Sequence, residues 1–117
     1  MKEYMLLFWS DEKKGATLSP SEMQAIVTRW LAWVDSLKEQ KLVEGRGVRL
    51  DSSRKTRTLK GATKLVSDGP FIESKEAIGG VLFIKARDID QAVEIATGCP
   101  VFAYGGSVEI RSILAME

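Results

Sequence analysis

The chain has 117 residues, 44% of them hydrophobic and 28% charged, with a formal net charge of +1. That length suits one domain with a single core, and the near balance of charge gives no overall pull toward nucleic acid or an anionic membrane. One cysteine and no histidine exclude an internal disulfide, a histidine-ligated zinc site and any catalytic pair built on imidazole. Acid–base chemistry would fall to Asp, Glu, Lys, Tyr or a cofactor.

Residues 2 to 9 read as a buried strand, rich in aromatic and large apolar side chains. Asp11 to Thr17 reads as a polar loop. Ser19, Pro20 and Glu22 then announce a helix: serine as N-cap, proline in the first turn and a glutamate in capping-box position. Met23, Ile26, Val27, Trp30, Val34 and Leu37 recur every three or four residues. A helix from 20 to about 40 therefore carries one apolar stripe, which Leu31 and Trp33 widen.

Leu42 to Leu50 reads as the second strand, with Gly45 and Gly47 suggesting a bulge or a close approach of backbones. Arg54 to Lys60 and Thr63 to Ser67 form an exposed ribbon around Gly61. Asp68-Gly69-Pro70 reverses the chain, since Asp can bond the following backbone, Gly accepts positive φ and Pro fixes φ. Ser74 to Ile78 is expected to make a helical turn. Gly80 to Ala86 is a continuous apolar run, consistent with a strand buried on both faces. Asp88 caps a short amphipathic helix that Gly98 and Pro100 end, Val101 to Gly106 is a loop, and Ser107 to Leu114 alternates as a final strand.

Strand, helix, strand, ribbon, strand, helix, strand is the order of a ferredoxin-like α+β sandwich, βαββαβ, with a β-ribbon insertion. Two helices cover only one face of such a sheet. Phe8, Phe83, Phe102 and Tyr104 exceed what that side can bury, so the other face is expected to pair with a second copy, making a homodimer.

The run Asp68-Gly69-Pro70-Phe71-Ile72-Glu73-Ser74-Lys75-Glu76 resembles the signature of the DGPF branch of the YCII-related family. Lys2 to Phe8, the Ser19–Glu22 helix start, Gly45 and Gly47, Gly79-Gly80 and Gly106 to Arg111 extend the resemblance along residues 1–117 as one domain. It implies a dimeric α/β-barrel, a pocket between sheet and helices, a bacterial origin and, through some relatives, a link to transcription. Some members are proposed enzymes that use a His–Asp pair. This chain has no histidine, so that pair has no counterpart here.

Several side chains have both a structural and a functional reading. Asp68 either caps its turn or serves as a pocket carboxylate, and Asp68 and Glu73 are the candidate catalytic acids or bases. Glu73 and Lys75 share a face if extended, as an ion pair or as ligand contacts. Glu109 and Arg111 share a face of the last strand, with Arg111 a candidate anchor for an anion. Phe71, Trp30 and Trp33 either pack the core or line a pocket for an aromatic ligand. Between 44 and 64 stand seven basic residues against two acidic ones, a pattern able to meet phosphate backbone. The one phenylalanine of the Gly80–Ile84 run falls short of the stacking platform that RNA-binding sheets need.

The expectation is thus a small-molecule-binding domain for an anionic or aromatic ligand, either an enzyme using Asp or Glu, or a regulatory interaction module linked to transcription. Nucleic-acid binding comes third. No cofactor, metal or membrane association is expected, and the cytoplasm is the expected location.

Overall fold

Sheet order in the computed structural model follows from which strands can pair without crossing connections. Residues 1–45, 47–70 and 75–115 are described. Strand β1 (Lys2–Asp11) lies between β5 (Glu76–Ala86) and β6 (Ser107–Ser112), and β2 (Val48–Arg49) extends the far edge of β5. All three pairings are antiparallel, in the order β2-β5-β1-β6. This is the arrangement expected of a ferredoxin-like α+β domain. Strands β3 (Arg57–Lys60) and β4 (Leu65–Asp68) form a separate two-stranded ribbon between β2 and β5.

The long helix α2 (Pro20–Glu39) starts as its sequence requires. The Ser19 side chain accepts from the Glu22 amide, and the Glu22 carboxylate accepts from the Ser19 amide. Those two reciprocal bonds satisfy donors that the first helical turn leaves open. Asp88 caps α3 (Ile89–Ala96) through the Gln91 amide. Both helices cover one face of the sheet. Tyr4, Leu6 and Phe8 of β1 and Leu82, Ile84 and Ala86 of β5 are buried there with Val34 and Leu37 of α2 and Ala92, Ile95 and Ala96 of α3.

Several local expectations are corrected. Glu12–Ala16 forms a short helix, α1, inside the expected polar loop, because Asp11 caps it by accepting from the Lys13 amide. The second strand shrinks to Val48–Arg49. Leu42 and Val43 bury their side chains in the core instead, while the Leu42 carbonyl accepts from the Lys85 amide. Extended pairing begins at Glu76 in place of a helical turn, since Asp11 lies opposite Glu76 and Ser10 opposite Ala77. Pro100–Tyr104 winds into a 3₁₀ turn that left-handed Gly105 closes. Leu31 points away from the core and is 42% exposed.

The largest correction concerns β5. Its apolar run buries Leu82, Ile84 and Ala86, yet Phe83 is 52% exposed. One face of the strand meets the helices and the other does not. Gly47 bears out the close approach: a Cβ there would meet the Val81 carbonyl oxygen at 2.6 Å, and its φ is +77°. Only glycine fits both constraints.

Candidate functional site

Residues opposite one another in an antiparallel pair share a face, and successive residues alternate. Leu6, Phe8, Leu82 and Ile84 face the helices, so the alternate set faces away from them. Leu7 lies opposite Val81 and Glu109, and Met5 lies opposite Phe83 and Arg111. A register shift between Phe8 and Trp9 brings Trp9 opposite Ile78, and on its other side Trp9 faces Ser107. Aromatic and aliphatic side chains thus cover the middle of this open face, and charged ones stand on β6.

Two of those charged residues pair directly, and an aromatic neighbour bonds to one of them. The Trp9 indole Nε1–H donates to Glu109 Oε1 at 3.0 Å, and an Arg111 guanidinium N–H donates to Glu109 Oε2 at 3.2 Å. Each carboxylate oxygen is engaged by a different side chain. Glu109 is therefore held in one orientation, with charge-assisted bonding on the arginine side. Arg111 remains 68% exposed as a side chain, leaving most of its donor fork turned to solvent. Beside this triad lies a depression of about 350 Å³ lined by Trp9, Glu76, Ser107, Val108 and Glu109. Its volume is at the small end of ligand sites. A smaller hollow of about 230 Å³ at the edge of the sheet includes Phe83 and the Lys85–Glu44 ion pair, whose charges are 3.1 Å apart.

The remaining candidates fall elsewhere. Asp68 ends β4 and pairs across the ribbon with Arg57 at 3.1 Å; its side chain is 87% exposed. The carboxylate joins two strands of the ribbon, and neither depression includes it among its described lining residues. Lys75 is exposed just before β5. Phe71 and Glu73 lie outside the described residues. Trp30 and Trp33 sit on the helix side of the sheet, where they meet Phe8 edge-on with ring centroids 4.8 and 6.1 Å away. The two indoles lie 5.6 Å apart at 75°. Such edge-to-face contacts match positive ring edges to negative faces and pack the core, so this pair lies across the sheet from Arg111.

Trp9, Ser107 and Glu76 were missed as site residues. Alternation along β1 would have found Trp9, since burial of Phe8 puts its successor on the opposite face. Pairing of Trp9 with Glu109 needed the register of β1 against β6, which no local pattern encodes.

Cys99 is a buried residue whose thiol burial pushes up to about 12, despite the Val101 amide that donates to its sulfur. It packs as a small apolar residue and is no nucleophile near neutral pH. Burial also raises the Tyr104 phenol, partly offset by a hydrogen bond from Trp30. Among the described residues no cluster of His, Cys, Asp and Glu could hold a metal ion. No helix among them is long and apolar enough to cross a membrane.

A four-stranded antiparallel sheet covered by helices on one face, with an indole–carboxylate–guanidinium triad on the other, defines a ferredoxin-like α+β domain with an uncovered sheet surface. The model of the YCII-related domain matches residues 3–117. The chain belongs to that family. No curated protein matches it.

Proposed function

We propose that the open sheet face is the working surface of the domain. Two copies close these faces on one another and enclose the triad in a pocket for a small ligand that carries an anionic group beside a planar one. Arg111 supplies a two-pronged anchor for the anion, Trp9 offers a ring for stacking, and Glu109 holds both in place. The observation that carries this reading is the Trp9–Glu109–Arg111 triad on an otherwise largely apolar face that no helix among the described residues covers. Exposed apolar surface of this extent marks an interface or a ligand site. The signature run around Asp68 further supports the DGPF branch of the family.

Proton transfer, where the bound ligand requires it, falls to Glu109. Asp68 stands out on the ribbon with Arg57, away from the depression that Glu109 borders. This is a binding function first, with chemistry limited to what one oriented carboxylate can do.

Benzoate, a planar carboxylate, tests the reading. Titration should quench tryptophan fluorescence in the wild-type chain, and Trp9→Phe should remove most of that quench while Trp30 and Trp33 remain. Arg111→Ala should weaken binding roughly tenfold or more, the worth of one charge-assisted contact. Light scattering should return the mass of two chains. A monomer at all accessible concentrations, or a benzoate response that both variants retain, overturns the proposal.

A further inference from the structure

Strands β3 and β4 stand apart from the body as an arm. A two-stranded ribbon by itself is marginally stable in water and needs a surface to pack on. This one has apolar side chains on both of its faces. Leu59 and Val66 are cross-strand partners on one face and are 62% and 57% exposed; Leu65, opposite Lys60 on the other, is 68% exposed. Among the described residues, nothing of the chain's own body covers either face.

The base of the arm is firmly built. The Gly69 amide donates to the Thr56 carbonyl, and the Thr58 hydroxyl donates to the Gly69 carbonyl at 2.7 Å. The Ser53 amide and hydroxyl both donate to the Glu12 carboxylate, and the Leu50 amide donates to the Gly79 carbonyl. A braced base and bare aliphatic strands describe a limb that is aimed, not frayed. The molecule is accordingly broad and thin, 46 × 45 × 21 Å with a radius of gyration of 15.8 Å, where a compact chain of this length would have about 13 Å.

We propose that the arm of each copy packs against a second copy of this chain and closes the Trp9–Glu109 depression there. This rests on the face-to-face pairing proposed above. Three features select that occupant. The arm and the open sheet face are both uncovered apolar surfaces of one molecule, and a reciprocal clasp buries both at once, as a two-fold interface allows. Charge matches as well: residues 51–69 carry five basic and two acidic side chains, a net of +3, so the rest of the chain carries −2. Finally, the sheet face alone is small. Four strands at about 4.8 Å spacing and six residues at about 3.3 Å give a flat outline of roughly 400 Å², which side-chain relief enlarges only in part toward the roughly 800 Å² of accessible surface each partner contributes to a standard interface. The arm supplies the missing area.

A two-fold axis running along the strands brings like ends of the two sheets together. An arm that springs from the end where Asp11 meets Glu76 therefore meets the corresponding end of the second copy, where Glu76 lines the depression. A polyanion is the poorer occupant, because the aliphatic faces of the arm would stay bare.

The test places Leu59→Cys and Ser107→Cys in one chain and oxidises it with diamide, each single variant serving as a control. Both positions are exposed, and the buried Cys99 thiol stays out of the exchange. The expected product is a disulfide-linked dimer at twice the chain mass, formed in the double variant and not in either single one. A bridge within one chain, or no bridge, overturns the proposal. In parallel, Leu59→Asp with Val66→Asp should raise the dimer dissociation constant at least tenfold in sedimentation equilibrium without changing the far-ultraviolet circular dichroism. An unchanged constant counts against the arm while leaving sheet pairing intact. A benzoate failure with a normal cross-link counts only against the ligand reading.

Discussion

The two faces of the central sheet are made from the same strands and differ only in which alternate residue they present. On one, Tyr4, Leu6, Phe8, Leu82 and Ile84 meet two helices and are at most 7% exposed. On the other, Met5, Leu7, Trp9, Val81 and Phe83 are nearly as apolar but lack a cover. The comparison teaches that hydrophobic character along a strand reports the need for burial, not the identity of what does the burying. One face is satisfied within the chain; the other is left without a helix over it among the described residues.

If the helix-covered face carries the fold, its loss should be costly. Leu6→Ala is expected to destabilise the chain by about 3 kcal/mol in urea denaturation, since a fully buried leucine leaves a cavity. Leu7→Ala, one residue away on the open face, should cost less than about 1 kcal/mol in the monomer and show itself in association. Equal costs for the two would erase the distinction between the faces.

Gly106→Ala sharpens the same boundary from the loop side. A Cβ there would clash with Val101 Cγ2 and lie 2.7 Å from the Trp9 carbonyl oxygen, so either β1 or the 3₁₀ turn must shift. The expected loss is about 2 kcal/mol by thermal or urea unfolding, with the Trp9–Glu109 geometry disturbed and benzoate quenching reduced.

Phe83→Asp reverses the emphasis. Unfolding of the monomer should change by about 0.5 kcal/mol or less, as for other exposed positions, while sedimentation should show self-association lost. A large fall in monomer stability would mean that Phe83 belongs to the core.

Cys99 gives a pH signature of the covered side. Its thiol ordinarily ionises near 9.0 and in the folded chain is raised to about 12 by burial. The folded state therefore holds its proton more tightly. Stability from this group is intact below pH 9 and declines as pH rises toward 12, because the unfolded thiol ionises first. Cys99→Ala should flatten that decline in urea melts taken across the range.

A small effect is also expected in the arm. Asp68→Asn removes an exposed pair with Arg57 and should cost less than about 1 kcal/mol. A larger loss would show that the arm is integral to the monomer.

Much of this was legible in the residues. Ser19, Pro20 and Glu22 start α2 where their capping chemistry requires, Asp88 starts α3, and the order of apolar runs defines the ferredoxin-like sheet. The ribbon was readable from Gly61 between two alternating polar segments, and Glu109 with Arg111 from their spacing on a strand. Less of the site was legible. Trp30 and Trp33 read more readily as core than as pocket, and their edge-on contacts with Phe8 of β1 place them in the core. Asp68 looked like a turn cap, whereas its carboxylate reaches across the ribbon to Arg57. The apolar run from Gly80 suggested two buried faces because composition cannot count the helices available to cover them.

Caps, turns and hydrophobic periods act over a few residues, so the chain by itself determined where its two longer helices begin, where the central strands run and that histidine chemistry is closed to it. Only tertiary structure decided that Trp9 would meet Glu109, a hundred positions away, and that Phe83 would be left bare. Both depend on strand register and on the number of layers, and those are set by the packing of the whole sheet against its helices.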